Sequence, residues 1–360
     1  MISDAAEWAK NAIMAGLSTN IVTFTNMGAK ITAISYYLPE KVVTNDDFFA
    51  EFADYKNEAL EKLGISERRR IASGESASDL AEAAALQLFM DYNIDPQSID
   101  FLLLAVMDPD YYTPPTSCIL HGKLGLAKNC GTLDFNHGCS AYVYGLATAQ
   151  GLISSLGVRR VLFLATSALS NTFHREDRSS NFVFGDGASA TLIEYSEDER
   201  IGPFEFGTDG NGYNKIIVED GRGKNPITAK SSEEVRDQHG NVTTRANFRM
   251  DGVGVFLFSV RTVPEMVQSL LGKSGYQIDD IDHFVFHQPN RFLNETIRKK
   301  CGIPEEKFRH DIDRTGNTVQ STIPIALKHM LNEGKIKSGD KVVLAGFGVG
   351  LSWMSTIVRF

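Results

Sequence analysis

The chain has 360 residues, of which 42% are hydrophobic and 22% charged, and its formal net charge is −9. That length supports one large or two medium domains, and the ordinary composition, free of low-complexity tracts and long like-charge runs, excludes a disordered tail. The acidic balance argues against nucleic acid, whose binding needs a phosphate-neutralising surface, and no apolar run reaches the roughly 18–20 residues that cross a bilayer.

Residues 1–27 read as an N-terminal extension with no part in chemistry. They lack the basic segment and apolar core of a secretory leader, and Met27 offers a second start. Strand-like runs then appear from Gly28 and at 101–106, 161–165, 284–286 and 342–345. Helix-length segments at 79–92, 139–156, 253–272, 290–301 and 318–333 lie between them. This alternation predicts an α/β fold with largely parallel sheets. The basic groups Arg68-Arg69-Arg70 and Arg298-Lys299-Lys300 read as solvated surface, the alternative being docking points for an acidic partner. The cysteines at 118, 130, 139 and 301 form no C-x-x-C pair, which argues against structural zinc and a disulfide scaffold and fits a reducing, cytoplasmic setting.

The chain also echoes itself. Ser98-Ile99-Asp100-Phe101-Leu102 is answered by Asp280-Ile281-Asp282-His283-Phe284, Gly138-Cys139 by Gly316-Asn317, and FGDGASATLI (184–193) by FGVGLSWMSTI (347–357). The pairs keep their order at offsets of 182, 178 and 163 residues. The shrinking offset places extra residues in the first half, at SNTFHREDRSSN (170–181). Two similar halves follow, 28–195 and 196–360. A pseudo-twofold between them equates Cys139 with Asn317. His287 closes a strand, and strand ends and helix starts share the ligand-binding side of such sheets. Cys139, His287 and Asn317 are thus expected to converge without metal or cofactor.

A thiol at a helix start is expected to have a lowered pKa, further lowered by an imidazole, and suits thioester exchange. The competing reading of a lone cysteine is a small buried hydrophobe, the one given to Cys118, Cys130 and Cys301. His283 and His287 share a strand face, but no cysteine or carboxylate set accompanies them, so a metal site is not expected; the remaining histidines read as structural. Asparagine is no base. Its amide and an imidazole aimed at one oxygen form a neutral donor pair for an enolate, each donor worth about 3–4 kcal/mol. Such a set favours carbanion formation by loss of CO2; a plain helix N-cap is the other role open to Asn317. The glycine turn around Val349 and Gly350 offers N–H groups that, with that of Cys139, could form an oxyanion hole. Phe347 offers an apolar wall against which a carboxylate is destabilised, or is simply core.

Taken together, GCSAYVYGL, FGDGASA, HQPN, GNT…STIP and the C-terminal FGVGLSWMSTIVRF closely resemble the β-ketoacyl-acyl-carrier-protein synthase III family of the thiolase superfamily. The likeness runs from about Lys30 to Phe360 and includes GISERR at 64–69. It implies a five-layered α/β/α/β/α fold of two duplicated halves and a homodimer. It implies Cys139 as acyl acceptor, His287 and Asn317 on the malonyl thioester carbonyl, Phe347 in decarboxylation, and Arg178 stacked on the adenine of coenzyme A. Asn290 of the HQPN motif joins the substrate-binding candidates.

Three departures stand out. The aromatic residue that faces the arginine in the family is replaced by Glu58, with Tyr55 nearby. Val349 occupies a position where the family has glycine. Thr113 replaces a phenylalanine at the acyl-pocket mouth, which points to a longer or bulkier acyl group. The implied reaction is decarboxylative condensation of an acyl group on Cys139 with a malonyl thioester on acyl carrier protein, with an acyl-coenzyme A or acyl-carrier donor and no resident cofactor. The alternatives are a non-decarboxylating acyltransferase of this fold and, more distantly, a cysteine hydrolase or a non-catalytic synthase partner.

Overall fold

The stretches Phe101–Val106 and Arg160–Ser167 are buried at all but their first positions, as strands covered on both faces must be. The computed structural model describes residues 28–53 and 58–360; the N-terminal extension and Tyr55 lie outside the described residues, as does the side chain of Glu58.

Nine strands build two sheets: β1 Gly28–Tyr37, β2 Phe101–Val106, β3 Gly131–Phe135, β4 Arg160–Ser167, β5 Gly187–Ser196, β6 Ile201–Thr208, β7 His283–Phe286, β8 Lys341–Gly348 and β9 Ser352–Arg359. The first sheet runs β1-β5-β4-β2-β3 and the second β7-β8-β9-β6. Read backwards, the second sheet matches the first strand for strand, with β3 as the addition. The expectation of largely parallel sheets needs correction. β2 pairs in parallel with β3 and β4, and β7 with β8, but β4/β5, β1/β5, β8/β9 and β6/β9 are antiparallel. The cause is local: β8 returns to β9 through the short turn at Val349–Leu351, a hairpin connection that forces antiparallel pairing. In the first half, residues 168–186 fill the same connection and include the helix Arg178–Val183.

Five helices complete the layers: α1 Ala77–Tyr92, α2 Ala141–Leu156, α3 Gly252–Ser274, α4 Arg291–Cys301 and α5 Thr322–Asn332. Strand alternation sorts the core. Leu103 and Phe163 of one sheet, and Val285 and Leu344 of the other, face inward onto Leu146, Ile153, Ile323 and Leu327 of α2 and α5. Leu102, Leu104 and Leu162 face outward onto Leu80 and Leu88 of α1, and Phe284, Phe286 and Val343 onto Val263, Leu270 and Ile297 of α3 and α4. The order is helix, sheet, helix, sheet, helix.

Each central helix is entered by a 3₁₀ turn, Gly138–Ser140 before α2 and Val319–Ser321 before α5. The first residue of each is left-handed, Gly138 at φ 50° and Val319 at φ 54°. The last residues match as well, Ser140 at φ −86°, ψ −11° and Ser321 at φ −86°, ψ −8°. This corrects the expected equivalence of Cys139 with Asn317. The backbone aligns Asn136–Ala141 with Asn317–Thr322, so the counterpart of Cys139 is Gln320. Backbone conformation, rather than a shared glycine, carries the repeat.

The Arg68-Arg69-Arg70 cluster is also corrected. Arg68 is fully buried, lies 4.7 Å over the Phe182 ring and donates to Asn45 Oδ1 at 2.7 Å. Arg70 donates to the carbonyls of Phe184 (2.8 Å) and Asn181 (2.6 Å). These cations tie down chain segments by binding carbonyls that would otherwise be orphaned. Arg298 is likewise engaged, with Glu295, while Lys299 remains exposed.

Candidate active site

Cys139 sits in the 3₁₀ turn below α2, where the backbone of β8 approaches closely. A side chain at Gly348 would come within 2.9 Å of Cys139 Cβ, and one at Gly346 within 2.8 Å of Ser140 Cα. Glycine at these positions lets the strand end reach the sulfur. Ser140 Oγ and Ser352 Oγ, one from each half, close the contact at 2.7 Å.

His287 follows β7. Its N–H donates to Ala345 O at 2.8 Å, which continues the parallel ladder, and its ring meets Phe347 edge-on at 5.7 Å between centroids. Asn317 is fixed through its main chain by a parallel bridge to Phe184: its N–H donates to Val183 O (2.9 Å) and its carbonyl accepts from Gly185 N (3.0 Å). Arg70 holds the Phe184 carbonyl of the same segment. The Asn317 side-chain oxygen accepts from Val319 N–H at 2.9 Å, which leaves the amide NH2 as the donor end. That bond depends on the left-handed Val319, a costly conformation for a β-branched residue, about 1–3 kcal/mol.

One cleft of about 430 Å³, counting its open mouth, is lined by Cys139, His287, Asn317, Phe347 and Val349. Its remaining walls are apolar, with Met107, Leu169, Phe184, Phe248 and Met250 prominent. Met107, Leu169, Phe248 and Met250 lie outside the glycine-flanked motifs and carry no sequence signal, while Phe184 opens FGDGASATLI, which marks the internal repeat rather than a cleft wall. Gly350, at φ 125°, shapes the turn without lining the cleft. Asn290 caps α4, its side chain accepting from Leu293 N at 2.8 Å, and does not line the cleft. Thr113 is exposed and also absent from the lining. Arg178 lies outside the cleft, its guanidinium 5.5 Å over the ring of Phe52, an aromatic partner that sequence spacing had not suggested.

The electrostatics depart from the expectation of a lowered thiol pKa. Burial pushes the Cys139 thiol up to about 12, against the opposing pull of the Cys139 and Val349 backbone N–H groups. Burial also lowers His287 to about 3. An apolar cleft penalises both charged forms more than two backbone dipoles can offset. The pair is therefore thiol and neutral imidazole. Among the described residues, no group of three or more His, Cys, Asp or Glu could hold a metal ion, and no helix is long and apolar enough to cross a membrane.

Two matching half-sheets, the helix pair between them and a cysteine turn facing a histidine and an asparagine define the thiolase-like class. Comparison with known proteins narrows it. The family model described as 3-oxoacyl-[acyl-carrier-protein (ACP)] synthase III matches residues 133–210, and that for its C-terminal part matches 271–360. A beta-ketoacyl-[acyl-carrier-protein] synthase III of Staphylococcus epidermidis is 35% identical over 92% of this chain and 98% of its own, and one from Clostridium acetobutylicum is 35% identical over the same shares. A crystal structure of a 3-oxoacyl-(acyl-carrier-protein) synthase III superposes with a TM-score of 0.90 at 43% identity, covering 92% of this chain and all of that one. The chain belongs to the 3-oxoacyl-[acyl-carrier-protein] synthase III family of acyltransferases.

Proposed function

We propose that the chain catalyses decarboxylative condensation of an acyl thioester with a malonyl thioester on acyl carrier protein. The observation that carries this reading is that Cys139, His287, Asn317 and Phe347 line one narrow apolar cleft with their polar ends free of any carboxylate. In the first step the Cys139 sulfur attacks the acyl thioester carbon, the carrier thiol departs with the proton, and the acyl oxygen rests on the Cys139 and Val349 N–H groups. In the second, the malonyl carboxylate, held against Phe347, leaves as CO2. The electron pair moves onto the thioester oxygen, where neutral donors on His287 and Asn317 stabilise it. The resulting carbon attacks the acyl-cysteine carbonyl, the C–S bond to Cys139 breaks, the sulfur regains a proton from solvent, and a β-ketoacyl thioester is released. No step calls for a resident cofactor.

Acyl-coenzyme A is a candidate donor, with Arg178 and Phe52 as a stacking surface at 5.5 Å. A homodimer is supported by β3, the terminal strand of the first sheet, which exposes Leu133 at 43% and offers an edge for a second copy. Four free cysteines support a cytoplasmic setting.

The test is intact-protein mass spectrometry with labelled malonyl-carrier turnover. An acyl increment on the wild type, absent from Cys139→Ala, followed by release of labelled CO2 is the expected result. Acyl transfer without CO2 would overturn the decarboxylative reading.

A further inference from the structure

His287 can stabilise an enolate oxygen only if its Nε2 carries the proton. In a neutral ring that requires Nδ1 to accept a hydrogen bond. The Thr322 hydroxyl lies 2.8 Å from Nδ1, buried at the start of α5, and the Val319 carbonyl is also within reach of the ring. That hydroxyl has one proton and two candidate acceptors, Nδ1 and the Val319 carbonyl at 3.0 Å. The Val319 carbonyl already accepts the Thr322 backbone N–H, which closes the 3₁₀ turn. The Gln288 N–H donates to the Thr322 oxygen at 3.3 Å, taking one lone pair. Either direction of this bond leaves these groups partnered, since the Val319 carbonyl can accept twice; the donor role of Nε2 in the condensation selects the one that sends the hydroxyl proton to Nδ1.

We propose that Thr322 donates to Nδ1 of His287 and thereby fixes the imidazole as an Nε2–H donor, the counterpart of the Asn317 amide. The two residues are then prepared in the same way. Each has its acceptor side occupied from within the 317–322 turn, Asn317 Oδ1 by the Val319 N–H and His287 Nδ1 by the Thr322 O–H. Each turns its donor side to the cleft. Left-handed Val319 makes this geometry: it aims its N–H back at Asn317 while its carbonyl meets the helix start. Thr322 is a positioning residue, acting on the substrate only through His287. In this arrangement His287 does not take the thiol proton, because Nε2 has no lone pair to offer.

The inference rests on the condensation reading, and its test separates the two. Nitrogen-15 spectra of wild-type protein with labelled histidine report the His287 tautomer at pH 7 without any turnover. Nε2–H is expected; Nδ1–H would overturn the proposal, whatever the enzyme catalyses. Thr322→Val is expected to lower the decarboxylation and condensation rate more than tenfold. Acylation of Cys139 should stay within about threefold, and Thr322→Ser should restore both rate and tautomer. Wild-type condensation by Thr322→Val would equally overturn it. Failure of the wild type to release CO2 from malonyl-carrier would instead sink the condensation reading and leave the tautomer result standing.

Discussion

Gly138 and Val319 stand 181 residues apart and enter their 3₁₀ turns with the same left-handed backbone, φ 50° and 54°. Only one of them is glycine, and the difference has a steric cause. A Cβ on Gly138 would lie 2.5 Å from Val349 Cγ2. Gly138→Ala therefore combines backbone strain with a clash and should destabilise the fold by about 3 kcal/mol, with loss of acylation. Val319→Gly relieves strain but gives up a side chain that is 1% exposed and adds chain entropy to the unfolded state, and should cost a smaller amount, about 1–2 kcal/mol. Urea unfolding of the two variants checks the contrast.

Reactivity of the sulfur should follow its burial. With a pKa pushed up to about 12, the thiolate fraction of Cys139 rises tenfold for each pH unit through the whole accessible range. Alkylation by iodoacetamide, read site by site by mass spectrometry, should show no plateau between pH 6 and 10. A plateau near pH 7 would mean that the helix start or His287 activates the free thiol.

The broad design was legible in the chain. The repeated Ile-Asp strand openings mark the starts of β2 and β7, each preceded by a 3₁₀ turn, at Pro96–Ser98 and Ile278–Asp280. The Cys, His and Asn singled out by their flanking residues line the same cleft. Other features resisted because they depend on partners distant in sequence. The match of Val319 to Gly138 lies in φ, not in residue type. Arg68 reads as surface until Phe182 and Asn45 are seen around it. The helix-start argument for the thiol omitted the desolvation that the apolar walls impose. Those walls come from Met107, Leu169, Phe184, Phe248 and Met250, which carry no local signal that would bring them together.

His287 should leave a signature in acid stability. Its pKa falls from 6.5 to about 3 on folding, so the unfolded chain binds a proton that the native chain refuses. Stability from this group is full above pH 6.5 and is lost as pH falls toward 3. At pH 5 the loss is about 2 kcal/mol relative to pH 7. Denaturant titrations across this range on wild type and His287→Gln should differ by that slope; parallel curves would place the imidazole in a wetter setting.

Phe248 should govern acyl size. It is 2% exposed, packs against Phe173 and Phe184 with centroids 5.6 and 5.3 Å apart, and closes one wall of the cleft, whereas Thr113 does not reach it. Phe248→Ala opens that wall at a cost of about 3 kcal/mol in stability. Competition between short and long acyl donors, read as mass increments on Cys139, should shift at least tenfold toward the longer chain. An unchanged ratio would move the acyl subsite elsewhere.

Asn317→Asp isolates the charge requirement of the donor pair. The substituted carboxylate can still accept the Val319 N–H, as Oδ1 does now at 2.9 Å, so the turn should survive. What changes is the face toward the cleft, where a hydrogen-bond donor becomes a buried anion beside the oxygen on which negative charge develops. Loss of one such donor costs about 3–4 kcal/mol in the transition state, and repulsion adds to it. Labelled CO2 release should fall by at least about a hundredfold. Acylation of Cys139, in which the amide has no part, should remain within a few-fold. If both half-reactions fall together, Asn317 acts by supporting the turn that carries it; if only CO2 release falls, it acts on the enolate.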